Sequence, residues 1–392
     1  MHLFINALAA SAGGGLTYLR NVIPHFADRD DVRTTVFLSS QSRNELPEAS
    51  NVLLLESEPF SRAVSRFWFE QRAVRRLIRR SNVDVLLSAG NFAIWNSPVS
   101  QILLSRNALY TSRDFDSDLR DRGEYRLWID THLKRAVAKW SIEAADCTVA
   151  PSEAFAQELR QWTGRKISVI HHGFDRDAFL GDATPLPAAT REQLDSKADA
   201  LRLLFVSHYN YYRNFETLLR AIPLIKRRLL PRRVALFLTC KLVAGANPGP
   251  YRTDSAAALL RELGITNDVV QLGVVPYRLL RHVCRAANLY VSPAYAESFA
   301  HPLVESMSSG LPVVASDLPV HKEVCGSAAL YFERFSPQQL ADCVVEIAQS
   351  PQLAAQLSKA GVERSTAFSW EHHVGRIVAL AKSLGSQNLM AQ

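Results

Sequence analysis

Ser292-Pro-Ala-Tyr-Ala-Glu-Ser-Phe-Ala-His-Pro-Leu-Val-Glu-Ser-Met-Ser-Ser-Gly-Leu-Pro-Val-Val-Ala-Ser316 decides how this chain folds. Leu289 to Val291, just before it, is a short apolar run that reads as a buried strand. Ser292-Pro293 ends the strand. Pro302 suits the first turn of a helix, where a missing N–H is no loss. Gly310 and Pro312 stop that helix after about two turns. Val313 and Val314 open the next strand. The segment is therefore strand, loop, helix, strand, with Glu297 in the loop and Glu305 in the first turn or so of the helix. The N–H groups around Ser298, Phe299 and Ala300 are expected to face an anion. An anion repels nearby carboxylates, so the two glutamates are expected to accept hydrogen bonds from sugar and ribose hydroxyls. Spacing alone equally allows two solvated glutamates beside an ordinary helix.

Outward from this unit the same alternation recurs. Strands are expected near residues 3–6, 34–38, 52–55, 84–87, 102–104, 147–149 and 167–170, then near 202–206, 234–238, 269–272, 289–291, 312–314 and 328–331. Strands separated by helical stretches predict α/β architecture, with parallel sheets covered by helices on both faces. Residues 177–200 carry Pro185 and Pro187 and little periodicity, and read as a linker between two domains. Residues 369–384 read as a helix. A length of 392 residues accommodates two or three domains.

A second patch lies at the start of the latter half. Leu203 to Val206 is a strand, Ser207-His-Tyr-Asn-Tyr-Tyr-Arg-Asn214 follows, and Leu218, Leu219 and Ile222 recur at helical spacing. Arg213 can clamp a phosphate in bidentate fashion. His208 can add a cation when protonated. Lys241, past the strand at 234–238, is a further candidate cation or a solvated lysine. In the first half, Gly13-Gly14-Gly15 sits between a strand and a helix, where glycines let backbone approach a ligand closely. The spacing is not that of a dinucleotide fingerprint, and Ser39-Ser40-Gln41 ends the second strand without an acid for a ribose. Both absences argue against a dehydrogenase.

Hydrophobic residues make up 47% and charged residues 21%, a globular composition. The net charge of +7 suits anionic partners such as a nucleotide diphosphate or a membrane face. The five cysteines, Cys147, Cys240, Cys284, Cys325 and Cys343, have no metal-type spacing and read as free thiols of a reducing compartment. The N-terminus lacks the basic start and long apolar run of a signal peptide. No stretch reaches the roughly 18 uninterrupted apolar residues of a spanning helix. A cytoplasmic protein is expected.

Glu297, Phe299, Pro302, Glu305, Met307, Gly310, Pro312, Val313 and Val314 resemble the signature of retaining glycosyltransferase family 4, also called group 1. The likeness continues through Ser316-Asp317, Glu323-Val324 and Gly326 to Tyr331, and Arg213-Asn214 matches the family's Lys-Asn. The chain departs at Ser298 and Ala300, where the family usually has glycines, and at Ser207-His208, where it has Gly-Arg. The resemblance implies a GT-B fold, with two Rossmann-like domains facing each other across a cleft. Residues 1–176 would bind the acceptor and 201–368 the nucleotide-sugar donor, and residues 369–392 would cross back to the first domain. It further implies sugar transfer with retention of configuration, no metal and no cofactor, in envelope polysaccharide or lipid-linked glycan assembly. Arg213, Lys241, His208 and the backbone at Ser298, Phe299 and Ala300 would then hold the donor diphosphate. Glu305 would hold the ribose and Glu297 the donor sugar. Asn107, after Arg106 at a strand end, would contact the reacting sugar or cap a turn, and Gly14 and Gly15 would face the donor phosphates or the acceptor.

His171-His172 has no third ligand at a metal spacing and reads as hinge lining. Asp114-Phe-Asp116 and Asp116-Ser-Asp118 fall in a mixed acidic and basic run that reads as a solvated loop or helix rather than a metal site. Residues 60–80 hold seven arginines and one glutamate with Phe67, Trp68 and Phe69 interleaved. Such a segment either lies on anionic lipid at the inner membrane face or turns its aromatics into the core. No recognised nucleic-acid-binding module is present. The open alternatives are another GT-B activity, an epimerase or a phosphorylase, or a non-catalytic nucleotide-sugar-binding partner subunit.

Overall fold

The computed structural model describes residues 1–10, 13–46, 51–243, 245, 247 and 250–390. Seven parallel strands form one sheet: β1 (His2–Asn6), β2 (Arg33–Ser39), β3 (Val52–Ser57), β4 (Val85–Ser88), β5 (Ser100–Leu104), β6 (Cys147–Ala150) and β7 (Ile167–Val169). Six more form a second: β8 (Leu201–Phe205), β9 (Val234–Leu238), β10 (Val269–Gln271), β11 (Leu289–Ser292), β12 (Val313–Ser316) and β13 (Ala329–Phe332). Each expected strand is present, and burial on both faces explains why the inner strands β1, β4, β5, β9, β11 and β12 read as continuous apolar runs.

The strand order is β3-β2-β1-β4-β5-β6-β7 in the first sheet and β10-β9-β8-β11-β12-β13 in the second. In each, the chain steps outward on one side and then restarts on the other. The reversal falls between β1 and β4, registered Leu3 to Val85, and between β8 and β11, registered Leu289 to Leu203. Connections diverge at such a point and leave a crevice beyond the strands' carboxyl ends, where ligands bind in open α/β sheets.

By contact, the chain forms two compact units. The first contains residues 1–111, 129–173 and 368–392, and the second 112–128 and 174–367. The first unit's core joins Leu3, Ile5, Leu87 and Ile102 of the sheet to Leu19, Val22 and Phe26 of helix Gly13–Ala27. Val374, Ile377, Val378 and Ala381 of the last helix, Trp370–Met390, complete it. Each of these side chains larger than alanine contributes about 1.5–3 kcal/mol of burial. Gly173 lies where a Cβ would come within 2.1 Å of the Trp370 nitrogen, so glycine lets the two segments touch.

Two stretches depart from expectation. The presumed linker folds into helices Arg176–Gly181 and Ala188–Asp195. Asp175 caps the first by accepting from the Ala178 N–H at 3.0 Å, and Phe179 packs its ring on Phe174 and Tyr277. Residues 112–128 group with the second unit, although the flanking strands β5 and β6 belong to the first.

Candidate functional site

The loops after β8 and β11 meet at the second sheet's switch point. Asn214 organises them. It sits in the left-handed region at φ 55°, a conformation asparagine tolerates better than most residues. Its side-chain amide donates to the Pro293 carbonyl at 3.0 Å and the Arg334 carbonyl at 2.6 Å, and its oxygen accepts from the Thr217 hydroxyl at 2.8 Å. One buried side chain thus pins the loops after β8, β11 and β13. Ser316, at the end of β12, adds a fourth tie by donating to the Ala294 carbonyl at 2.5 Å. Its hydroxyl also contacts Nδ1 of the fully buried His321 at 3.0 Å, and burial pushes that imidazole down to about 3, so it is neutral.

On this frame Arg213 and Glu297 form an ion pair, with the guanidinium also 5.2 Å from the Tyr212 ring centre. Both are mostly shielded, with side chains 21% and 10% exposed. Two residues expected to act on different parts of a ligand therefore touch. Ala300 precedes helix His301–Ser308 in the left-handed region, at φ 67° and ψ 63°. That backbone explains why glycine is usual there, since a Cβ in this conformation costs about 1–2 kcal/mol.

Glu305 lies in the second turn of that helix rather than the first, and it is buried. Desolvation pushes its carboxyl up from 4.5 to about 7. Tyr290, on β11 beneath, feels both Arg213 and Glu305, which places the three in one electrostatic neighbourhood. A carboxyl held near neutrality in a site with a guanidinium is a functional candidate on physical grounds. His208 is exposed, and Ser207 Oγ donates to its carbonyl at 2.6 Å. Lys241 is also exposed and lays its aliphatic stem over Gly273, on the β10 side of the sheet.

The other expected site residues lie in the first unit. Asn107 caps the turn Ala108–Tyr110, its side chain accepting from the Leu109 N–H at 3.1 Å. Its neighbour Arg106 donates to the Ala89 carbonyl at 2.5 Å and the Gly14 carbonyl at 3.4 Å, and stacks 4.7 Å from the Tyr18 ring centre. Gly15 is explained by packing, since a Cβ there would stand 2.8 Å from the Ala10 Cα. Gly14 is exposed and has nothing within 4 Å of its would-be Cβ. His172 packs with Tyr18, Trp370 and His373 in an aromatic cluster.

The acidic run around Asp116 is not solvated as expected. It forms helix Arg113–Asp121, in which Asp114, Asp116 and Asp118 are engaged within the second unit. Asp114 pairs with Arg334 at 3.1 Å, and Asp118 accepts from the Tyr295 hydroxyl at 2.6 Å. Asp116 accepts from Trp128 Nε1 at 2.9 Å. Arg122 reaches Glu216 at 3.1 Å and lies over the Tyr211 ring. Among the described residues, no group of three or more His, Cys, Asp or Glu stands together as a metal site. Sequence reading missed Tyr295, His321 and Arg334; a buried histidine and a paired arginine carry no local signal until the loops are assembled.

Residues 12–178 match the family model described as Glycosyltransferase Family 4, and residues 188–364 match Glycosyl transferases group 1. A D-inositol 3-phosphate glycosyltransferase of Nocardioides sp. is 29% identical over 244 residues, covering 59% of this chain and 52% of the relative. The chain thus spans about half the length of such curated relatives. Sucrose-phosphate synthase from Thermosynechococcus elongatus superposes with a TM-score of 0.77 at 20% identity, covering 99% of this chain and 100% of that one. HepE from Anabaena, solved in complex with UDP-glucose, gives 0.72 at 19% identity, covering 98% and 100%. These likenesses show the GT-B fold.

Proposed function

Because the chain belongs to the family 4, or group 1, glycosyltransferases, we propose that it moves a sugar from a nucleotide diphosphate sugar to a saccharide or lipid-linked acceptor. The observation that carries this reading is the Arg213–Glu297 ion pair at the switch point of the second sheet, with the buried Glu305 on the helix that follows. The reaction breaks the bond between the anomeric carbon and the diphosphate oxygen and forms one from that carbon to an acceptor hydroxyl oxygen. The hydroxyl proton passes to the departing diphosphate. Arg213 stabilises the charge that develops there, helped by the backbone at Ser298, Phe299 and Ala300 and by Lys241 and His208. To do so Arg213 exchanges part of its pairing with Glu297 for phosphate oxygens, and Glu297 turns to the donor-sugar hydroxyls. Glu305 accepts from the ribose hydroxyls. Asn107 contacts the reacting sugar, and Gly14 and Gly15 face the donor phosphates or the acceptor. Attack on the leaving-group face retains configuration, and cations and backbone dipoles replace a metal. The protein works in the cytoplasm on envelope or lipid-linked glycans, touching the inner membrane face through residues 60–80.

Calorimetric titration with UDP, GDP, dTDP and ADP, with magnesium and then EDTA, tests the site. Tight binding of one nucleotide that survives EDTA and weakens at least tenfold in Glu305→Ala is expected. Binding that needs the metal, or no binding at all, rejects the site as drawn. Binding without transfer to any acceptor would leave a nucleotide-sugar-binding subunit.

A further inference from the structure

Helix Tyr125–Ala144 is apolar on two sides. Its inner face, with Ala138, Ser141 and Ile142, is buried in the first unit. Its outer face carries Ile129, Leu133, Ala136 and Trp140, spaced four, three and four residues apart, the spacing of one helical stripe. These residues face solvent: Ile129 is 53% exposed, Leu133 65% and Trp140 56%. A surface helix ordinarily turns a polar face outward. An apolar stripe running three turns is the kind of exposed patch that meets another phase or molecule.

The stripe does not end at Trp140. The Trp140 ring lies 6.4 Å from that of Trp95, which lies 6.3 Å from that of Trp68. Trp68, 51% exposed, sits on helix Ala63–Arg80 in line with Arg72, Arg76 and Arg79, again at spacings of four, four and three. The buried face of that helix is Glu70, Gln71, Val74 and Ile78, so its tryptophan and these arginines are turned outward together. Arg72, Arg75, Arg76, Arg79 and Arg80 line one depression without a carboxylate among them. Apolar stripe, indoles and guanidiniums therefore form one surface.

We infer that this surface docks on an anionic phospholipid bilayer, with Ile129, Leu133 and Trp140 entering the acyl boundary and the five arginines binding lipid phosphates. The inference rests on the membrane contact proposed above and adds to it the stripe as the inserting element. Charge complementarity selects the occupant. Guanidiniums pair with phosphates in fork geometry, indoles favour the headgroup level, and aliphatic side chains gain by leaving water. A protein partner would need a dense acidic surface set beside an apolar groove.

Co-sedimentation with phosphatidylcholine vesicles, with and without phosphatidylserine, tests this on the full chain. Three proteins are compared: wild type, Ile129→Ser/Leu133→Ser, and Arg72→Ser/Arg76→Ser/Arg79→Ser. Wild type is expected to bind only the serine-containing vesicles, with a blue shift of tryptophan emission. Each arginine is worth about fivefold in affinity, so the arginine variant should lose on the order of a hundredfold. The stripe variant should lose at least tenfold and the blue shift as well. Both should keep the wild-type circular dichroism spectrum and urea unfolding midpoint, showing intact folding of the first unit. If the stripe variant binds vesicles like wild type, the stripe is no anchor and the arginine helix alone carries the contact. If wild type ignores every vesicle, the membrane reading falls with it. Self-association that the stripe variant abolishes, without vesicle binding, would assign the face to a second copy.

Discussion

Glu305 is a carboxyl in an environment that favours its neutral form. Its value rises from 4.5 to about 7 on burial, so between those limits the folded protein holds a proton the unfolded chain has released. Stability from this group is fully present below about 4.5 and is lost as pH rises through about 7. Above that range the cost is up to about 3 kcal/mol. Glu305→Gln keeps the shape and removes the titration. In urea unfolding it should match wild type near pH 4 and exceed it by about 2–3 kcal/mol near pH 8. Equal stability at both values would mean that the carboxyl is solvated. The same residue should make nucleotide affinity rise with pH through about 7, because only the carboxylate accepts two ribose hydroxyls. None of this was legible from the spacing of Glu297 and Glu305. The sequence indicates that one glutamate is helical, but its burial depends on β11 beneath it and on the neighbouring helices, set by distant parts of the chain.

Elements were legible to different degrees for a physical reason. A strand buried on both faces, such as β1, β4, β5, β9, β11 or β12, shows as an apolar run, and the partly exposed edge strands still carry short apolar stretches, so all thirteen could be placed from the sequence. Helix Arg113–Asp121 could be suspected as a helix, but its docking could not. Its partners Tyr295 and Arg334 lie 177 and 220 residues beyond their own mates in sequence, and such pairs leave no periodic trace. The presumed linker hid two short helices because Pro185 and Pro187 dominate its composition, whereas capping by Asp175 and ring packing on Phe174 decide its first helix. Helix Arg113–Asp121 also supports the site. Tyr295, two residues before Glu297, donates to Asp118 through its hydroxyl and to the Tyr212 carbonyl through its N–H. Tyr295→Phe removes only the first bond. A hydrogen bond to a charged acceptor is worth about 1.5–3 kcal/mol, and Asp118 keeps Arg122, so a loss of about 1–2 kcal/mol is expected in urea unfolding. Nucleotide affinity should fall severalfold, as the Glu297 loop loses one of its ties. Wild-type stability and affinity in this variant would show that the helix only covers the surface.

For the molecule as a whole, the sheet order in both units puts a reversal where loops diverge, yet the two reversals are furnished differently. In the second unit the crevice holds an arginine, two glutamates and an asparagine that fixes three loops. In the first, Arg106 turns inward to backbone carbonyls and Asn107 caps its own turn, while Gly15 fits against Ala10. A nucleotide diphosphate needs cations and hydroxyl acceptors together, and among the described residues the second arrangement offers Arg213 with Glu297 and Glu305. Hydrogen exchange can test that asymmetry without an acceptor. Saturation at a hundredfold excess over Kd stabilises the bound form by about 2.7 kcal/mol, so amides released only by opening of the site should slow by about a hundredfold. Protection from UDP, or whichever nucleotide binds, should concentrate in residues 207–214 and 293–305, with strands β1 to β7 unchanged. Protection spread evenly over both sheets would mean that the ligand acts through global stability and would not locate its site. Protection confined to the loops of the first unit would move the nucleotide to the other reversal and leave Arg213, Glu297 and Glu305 without the role given them.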